Sequence, residues 1–132
     1  LAADVALAMP VLLVEDNPVN QKVALMLLQR RGYRVQLAED GRAALEAFAH
    51  ARFSAILMDM QMPVMDGIEA TREIRNMEAL RQVARTPIIA MTANAMEGDR
   101  ERCLEAGMDD YIAKPIRADQ LYEQLQRWVR LG

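Results

Sequence analysis

The chain has a single cysteine, Cys103, among 132 residues. No internal disulfide can hold it, and that cysteine usage suits the cytosol. The expected role of Cys103 is that of a small core or helix-face residue. Long apolar runs are also missing. The longest span about six residues, far below the ~20 needed for a membrane-crossing helix. Lysine is scarce: Lys22 and Lys114 stand against 14 arginines. The arginines are scattered, which argues against a nucleic-acid groove. A chain that prefers arginine yet keeps lysine at 114 has a use for an ammonium there. Histidine occurs once, as His50, and is expected on the surface at the end of a helical pattern. There is no internal repeat and no low-complexity stretch. The first ten residues lack the basic start and cleavage pattern of a signal peptide, and position 1 is not Met. Residues 1–9 are expected to be a linker remnant, and 10–132 one domain cut from a longer protein.

What is present is ample apolar material, 52% of residues, with a formal net charge of −3. That is enough for the core of one domain. Five short apolar runs, at 11–14, 34–37, 54–58, 87–91 and 111–113, alternate with helical patterns at 18–31, 41–51, 66–77, 96–106 and 117–130. Leu121, Leu125 and Trp128 fall at i, i+4, i+7 with Val129 beside them. Ala44, Leu45 and Phe48 share a face behind Asp40, a natural cap. Gly107 is a stop signal for the fourth helix. Strict alternation predicts an α/β fold, a parallel sheet with helices on both faces. Runs such as VLLV and IIAM suit strands buried on both sides, whereas Arg34-Val35-Gln36-Leu37 alternates as an edge strand does. The expected order is therefore 2-1-3-4-5, that of flavodoxin-like (βα)5 folds, whose ligands bind beyond the carboxyl ends of the strands.

Chemistry converges at those ends. Glu15 and Asp16 follow the first strand, Asp59 ends the third, Thr92 the fourth, and Lys114-Pro115 follows the fifth. The second, at the edge, ends in nothing comparable. In the order 2-1-3-4-5 these groups share one rim with Asp59 at its centre. Lys114 is two strands away, roughly 9–10 Å by strand spacing, a gap its stem can largely close. Each group alone has an ordinary reading as a turn, cap or solvated residue; four on one rim do not. Three carboxylates in one cleft repel unless neutralised. Oxygen donors without imidazole or thiolate suit a hard divalent cation such as Mg²⁺. The ammonium of Lys114 and the hydroxyl of Thr92 then suit a second anion such as a phosphoryl group. The implied chemistry is in-line attack by Asp59 on phosphorus to give an aspartyl phosphate.

The segments VLLVEDNPVN (11–20), DMQMPVMDG (59–67), PIIAMTA (87–93) and YIAKP (111–115) resemble the receiver domain of two-component response regulators, and the likeness extends over about 10–130. It implies that Asp59 is the phospho-acceptor. Asp16 and Asp59 are the implied Mg²⁺ ligands (Mn²⁺ could substitute), with the backbone carbonyl of Gln61, and Glu15 acts through water. Thr92 and Lys114 are the implied phosphoryl-binding pair, with the Ala93 amide nearby. Tyr111 holds the switch position, and the Lys114-Pro115 bond is similar to one that is commonly cis. Asn17, Asn20 and Asn94 resemble receivers attached to hybrid sensor histidine kinases.

The implied partner is a histidine kinase or histidine phosphotransfer domain, since His50 is not placed to donate phosphate. Docking is expected at Asn17, Val19, Asn20 and Val23, with the surface of the fourth helix, fifth strand and fifth helix switching. No nucleic-acid or membrane contact is expected of this domain; a cytoplasmic location is expected for it, within a parent protein that could be membrane-anchored. The domain is expected to be a self-phosphorylating switch rather than a turnover enzyme. Alternatives are a freestanding regulator or phosphate sink, and an aspartate-nucleophile phosphatase. The phosphatase would want a second acid where Gln61 stands. A flavin-binding electron carrier would want a hydroxyl- and Gly-rich loop, whereas Glu15-Asp16 would repel a phosphate. The four methionines at 58, 60, 62 and 65 are expected to be adaptable packing.

Overall fold

The computed structural model describes residues 9–60, 62, 65–93 and 97–129, without the side chains of 97–99. In chain order the elements are β1 (Val11–Val14), α1 (Pro18–Arg30), β2 (Val35–Ala38), α2 (Gly41–His50), β3 (Ala55–Asp59), α3 (Gly67–Arg81), β4 (Ile88–Thr92), α4 (Glu97–Ala106), β5 (Asp110–Ala113) and α5 (Ala118–Val129). All strand pairs are parallel and the order is β2-β1-β3-β4-β5. This is the flavodoxin-like arrangement expected from the alternation of elements.

Two cores lie on opposite faces of the sheet. Leu12, Val14, Ile56, Met58, Ile88 and Ala90 pack with residues of α2, α3 and α4. Val11, Leu13, Leu57, Ile89, Met91 and Ile112 pack with residues of α1 and α5. Odd and even positions on each strand therefore go to different cores, as the pleat requires. Central strands β1, β3 and β4 are buried along their whole length. At the edge, Gln36 and Leu37 of β2 are exposed.

Local chemistry explains the helix starts. Asn17 Oδ1 accepts the amides of Val19 and Asn20 at 2.9 and 3.2 Å, with Pro18 in the first turn of α1. Asp40 caps α2 through the Ala43 amide at 2.8 Å, and Asp66 caps α3 through the Glu69 amide at 2.9 Å. Such caps satisfy amides that have no partner within the helix. Gly107 follows α4 at φ 110°, where a side chain would be strained. Ala44 and Phe48 are buried on α2, and Leu121, Leu125 and Val129 on α5.

Several boundaries differ from the sequence expectation. Strands β2, β3 and β4 each end one residue later than expected, because the ladder pairing extends to Ala38, Asp59 and Thr92 at their ends. Helix α3 runs to Arg81, four residues past the expected end at 77, and closes on Gln82 in the left-handed region at φ 55°. Tertiary bonding supports the added turn: Glu78 is buried, accepts the Thr86 amide at 2.6 Å and pairs with Arg75 at 2.8 Å. Helix α5 starts at Ala118 rather than 117.

Candidate functional site

The carboxyl ends of β1, β3 and β5 open on a cleft of about 400 Å³ lined by Glu15, Asp16, Asn20, Asp59, Ala93 and Lys114, among others. The register explains the meeting. Val14 lies opposite Met58, so the next residues on each strand, Glu15 and Asp59, are neighbours. Thr92 lies opposite Ala113, which delivers Lys114 just beyond the end of β5. The Lys114 amide donates to the Thr92 carbonyl at 2.7 Å, and the Lys114-Pro115 bond is cis.

Lys114 Nζ lies 2.9 Å from Glu15 Oε1 and 3.0 Å from Asp59 Oδ1. The ammonium thus bridges two acids that would otherwise repel. Glu15 is 1% exposed and Asp59 3% exposed, whereas Asp16 is exposed. Adjacent acids part because successive residues leave a strand on opposite sides. Glu15 follows Leu13 toward the sheet, and Asp16 turns into the open cleft. Glu15 Oε2 accepts the Asn17 amide at 3.1 Å. Glu15 Oε1 is buried with an ion-pair contact but no directed hydrogen bond.

Burial opposes ionisation of Glu15, yet its contacts with Lys114 and Asp59 and the Asn17 amide outweigh that and hold its pKa below the ordinary 4.5. Burial likewise opposes the charged form of Lys114, but Glu15 and Asp59 outweigh it and raise its pKa above the ordinary 10.5. At neutral pH, Glu15 is therefore ionised and Lys114 is a full cation.

Carboxylate oxygens from Glu15, Asp16 and Asp59 lie within 4.8 Å of one another. Three hard oxygen donors, one of them solvent-facing, and a buried Glu15 oxygen without a directed donor fit a divalent cation of the Mg²⁺ type. Gln61, expected to add its carbonyl, lies outside the described residues, as does Asn94.

Thr92 is buried at the end of β4, and Tyr111 is half-buried on β5. Tyr111 lies opposite Ala90, so Thr92 and Tyr111 sit on adjacent strands on the same sheet face, and Tyr111 packs against the core under α4. Ala93 is exposed beside the cleft. At the start of α1, Val19 is 68% and Val23 37% exposed. Asn20 is half-buried at the cleft, and the side chain of Asn17 is engaged as a helix cap. Met26, 50% exposed, continues the Val19–Val23 stripe along α1; sequence reasoning did not single it out.

Two positioning residues were also missed. Gln21 Nε2 donates to the Glu15 carbonyl at 2.6 Å and steadies the acid loop from α1. Gly67 presses on the Asp59 backbone, so that a Cβ there would collide with the Asp59 carbonyl oxygen. Nothing local marks Gln21, while Gly67 read only as a loop residue. His50 is exposed, with Nδ1 2.9 Å from the Glu46 carbonyl. Cys103 is buried, its Sγ 3.6 Å from Met60 Sδ. Met58 and Met60 are in the core, with Met62 and Met65 packed against it. Among the described residues no helix is long and apolar enough to cross a membrane.

Comparison with known proteins agrees with this geometry. Residues 11–126 match the response regulator receiver domain. The chain is 47% identical over 124 residues to hybrid signal transduction histidine kinase I of Dictyostelium discoideum; the match covers 90% of this chain and 7% of that kinase. It is 55% identical, with a TM-score of 0.82, to the receiver domain of sensor histidine kinase PA1611 from Pseudomonas aeruginosa PAO1, covering 92% of this chain and 97% of that one. That structure holds a magnesium ion coordinated in its active-site cleft. A second similar structure is the Saccharomyces cerevisiae response regulator Ssk1 receiver domain, co-crystallised with the histidine phosphotransfer protein Ypd1: 31% identical, TM-score 0.87, covering 91% and 88% of the two chains. With this fold, this acid rim and these relatives, the chain belongs to the response regulator receiver domain family, and it is similar to the receivers of hybrid sensor histidine kinases.

Proposed function

We propose that Asp59 accepts a phosphoryl group from a phosphohistidine on a partner kinase or histidine phosphotransfer domain, in the cytoplasm, and that this chain is the receiver of a hybrid sensor kinase. The observation that carries the reading is the Lys114 ammonium seated between Glu15 and Asp59 at 2.9 and 3.0 Å. Residues 10–132 form the receiver unit in this reading, which the family match over 11–126 supports.

A carboxylate oxygen of Asp59 attacks phosphorus. The new O–P bond forms as the donor N–P bond breaks, and the electron pair returns to the imidazole nitrogen. Lys114 offsets charge on the transferring oxygens, and the Thr92 hydroxyl and Ala93 amide donate to them. Glu15, Asp16 and Asp59 would hold Mg²⁺, which supplies positive charge beside the transferring oxygens. The phosphoryl group adds close to −2 charge at Asp59. Thr92 moves toward it, vacating space on the Tyr111 side of the sheet, and the surface of α4, β5 and α5 shifts between two states.

Intact-mass analysis tests the core of this. With Mg²⁺ and a small phosphodonor, the wild type should gain one phosphoryl mass and Asp59→Asn none. Undiminished labelling of Asp59→Asn overturns the reading. Asp16→Asn should keep its fold but bind Mg²⁺ more weakly.

A further inference from the structure

We propose that the neighbouring carboxylates Asp109 and Asp110 are the fixed pivot of the α4–β5–α5 surface, so that its movement is confined to the end near Lys114. This rests on the phospho-acceptor reading above. The two side chains serve opposite faces of the sheet. Asp109 Oδ2 accepts the Ile88 amide at 2.8 Å and pairs with Arg75 at 2.9 Å. Its Oδ1 pairs with Arg85, also at 2.9 Å. The same two arginines donate to the Gly107 carbonyl, each at 2.9 Å. The carboxyl end of α4 is therefore tied to α3 and to the start of β4.

Asp110 serves the other face. Its Oδ2 accepts the Trp128 indole N–H at 3.2 Å and lies 3.4 Å from Arg127. Its Oδ1 accepts the Tyr111 amide at 2.9 Å. The last turn of α5 is thus tied to the first residue of β5, and the backbone of Tyr111 is held by its neighbour. The Tyr111 ring, packed against the other core, is left to rotate on a fixed backbone.

Both carboxylates sit at the amino end of β5, and Lys114 follows its carboxyl end. Four residue steps of strand, roughly 13 Å, separate Asp110 from Lys114. Charge-assisted bonds are the stronger class: at the amino end of β5 they tie the strand to its flanking helices and to β4, whereas at the carboxyl end the ion pairs of Lys114 run to Glu15 and Asp59 of the cleft itself. A phosphoryl group at Asp59 changes the partners of Lys114 at the carboxyl end and leaves those of Asp109 and Asp110 untouched.

Trp128 is the chain's only tryptophan, so its indole N–H gives one isolated NMR signal, and the Arg75 Nε–H reports the other tie. Spectra of the full chain are compared before and after adding Mg²⁺ and beryllofluoride. The amides of Thr92, Ala113 and Lys114 should shift, while the Trp128 indole and Arg75 Nε–H signals stay in place. Asp110→Ala should make the indole signal responsive. It should also speed hydrogen exchange in the last turn of α5 by about fivefold, the factor for one ordinary hydrogen bond. Asp110→Asn keeps an acceptor oxygen and should restore the unresponsive signal. Trp128 and Arg75 signals that shift as far as Lys114 overturn the pivot while leaving the phospho-acceptor reading intact. No response at Asp59 or Thr92 overturns both.

Discussion

Lys114 Nζ lies 3.0 Å from Asp59 Oδ1 although β4 stands between the strands that present them. The lysine stem crosses a strand to reach the carboxylate, and the same ammonium contacts Glu15. Lys114 and a divalent cation therefore serve the same acids. Lys114→Met should raise Mg²⁺ affinity, because it removes a competing positive charge. It should also slow phosphorylation of Asp59 by ~10²-fold, as loss of a charge-stabilising group does. Calorimetric Mg²⁺ titration and intact-mass time courses read the two effects separately. A fall in both would show that the lysine chiefly shapes the site.

The metal-free protein should show a broad plateau in the stability this pair contributes. Glu15 has a folded pKa below 4.5, so its contribution is present above 4.5 and is lost as pH falls through the folded value. Lys114 has a folded pKa above 10.5, so its contribution is present below 10.5 and is lost as pH rises through the folded value. Urea unfolding with a chelator should give a constant difference between the wild type and the Glu15→Gln/Lys114→Met double variant between those limits. The difference should narrow on either side. A steady slope through neutral pH would contradict this.

Gly67→Ala should destabilise the fold by about 1–3 kcal/mol, as overpacking of a tight contact does. The added methyl meets the Asp59 carbonyl oxygen, so the loop must move and labelling of Asp59 should slow as well. Thermal unfolding and intact mass check both. An unchanged midpoint would show that the loop yields freely.

Val19→Asp and Val23→Asp lie on exposed positions of α1 and should change stability by no more than ~0.5 kcal/mol. Both should slow transfer from a phosphorylated histidine phosphotransfer protein while leaving labelling by a small phosphodonor unchanged. Equal slowing with both donors would remove α1 from the docking surface.

Thr92→Ala should still accept phosphate but transmit it poorly. Beryllofluoride shifts at Tyr111 should shrink while those at Asp59 persist. Full-sized shifts at Tyr111 would mean that Thr92 is not the link.

The order of strands was legible because burial writes itself into local patterns. VLLV and IIAM are buried on both sides, and the alternating segment before Ala38 lies at the edge. The acids at 15, 16 and 59 and the lysine at 114 were legible as strand endings, since parallel strands of this fold all finish on one rim. The extra turn of α3 was not legible. Met77–Arg81 could continue a helix or leave it, and the deciding bonds come from Thr86 and Arg75 to Glu78.

The sequence by itself determined which residues could do chemistry, because residue type and position at a strand end follow from local order. Only the tertiary structure decided how they divide the work. Glu15 is buried and Asp16 exposed, Lys114 spans β4 to Asp59, and Asp109 and Asp110 tie opposite faces at the far end. Those outcomes depend on distances between residues remote in the chain, on which side of a pleat each one leaves, and on how far each side chain reaches. No local pattern of residues carries that information.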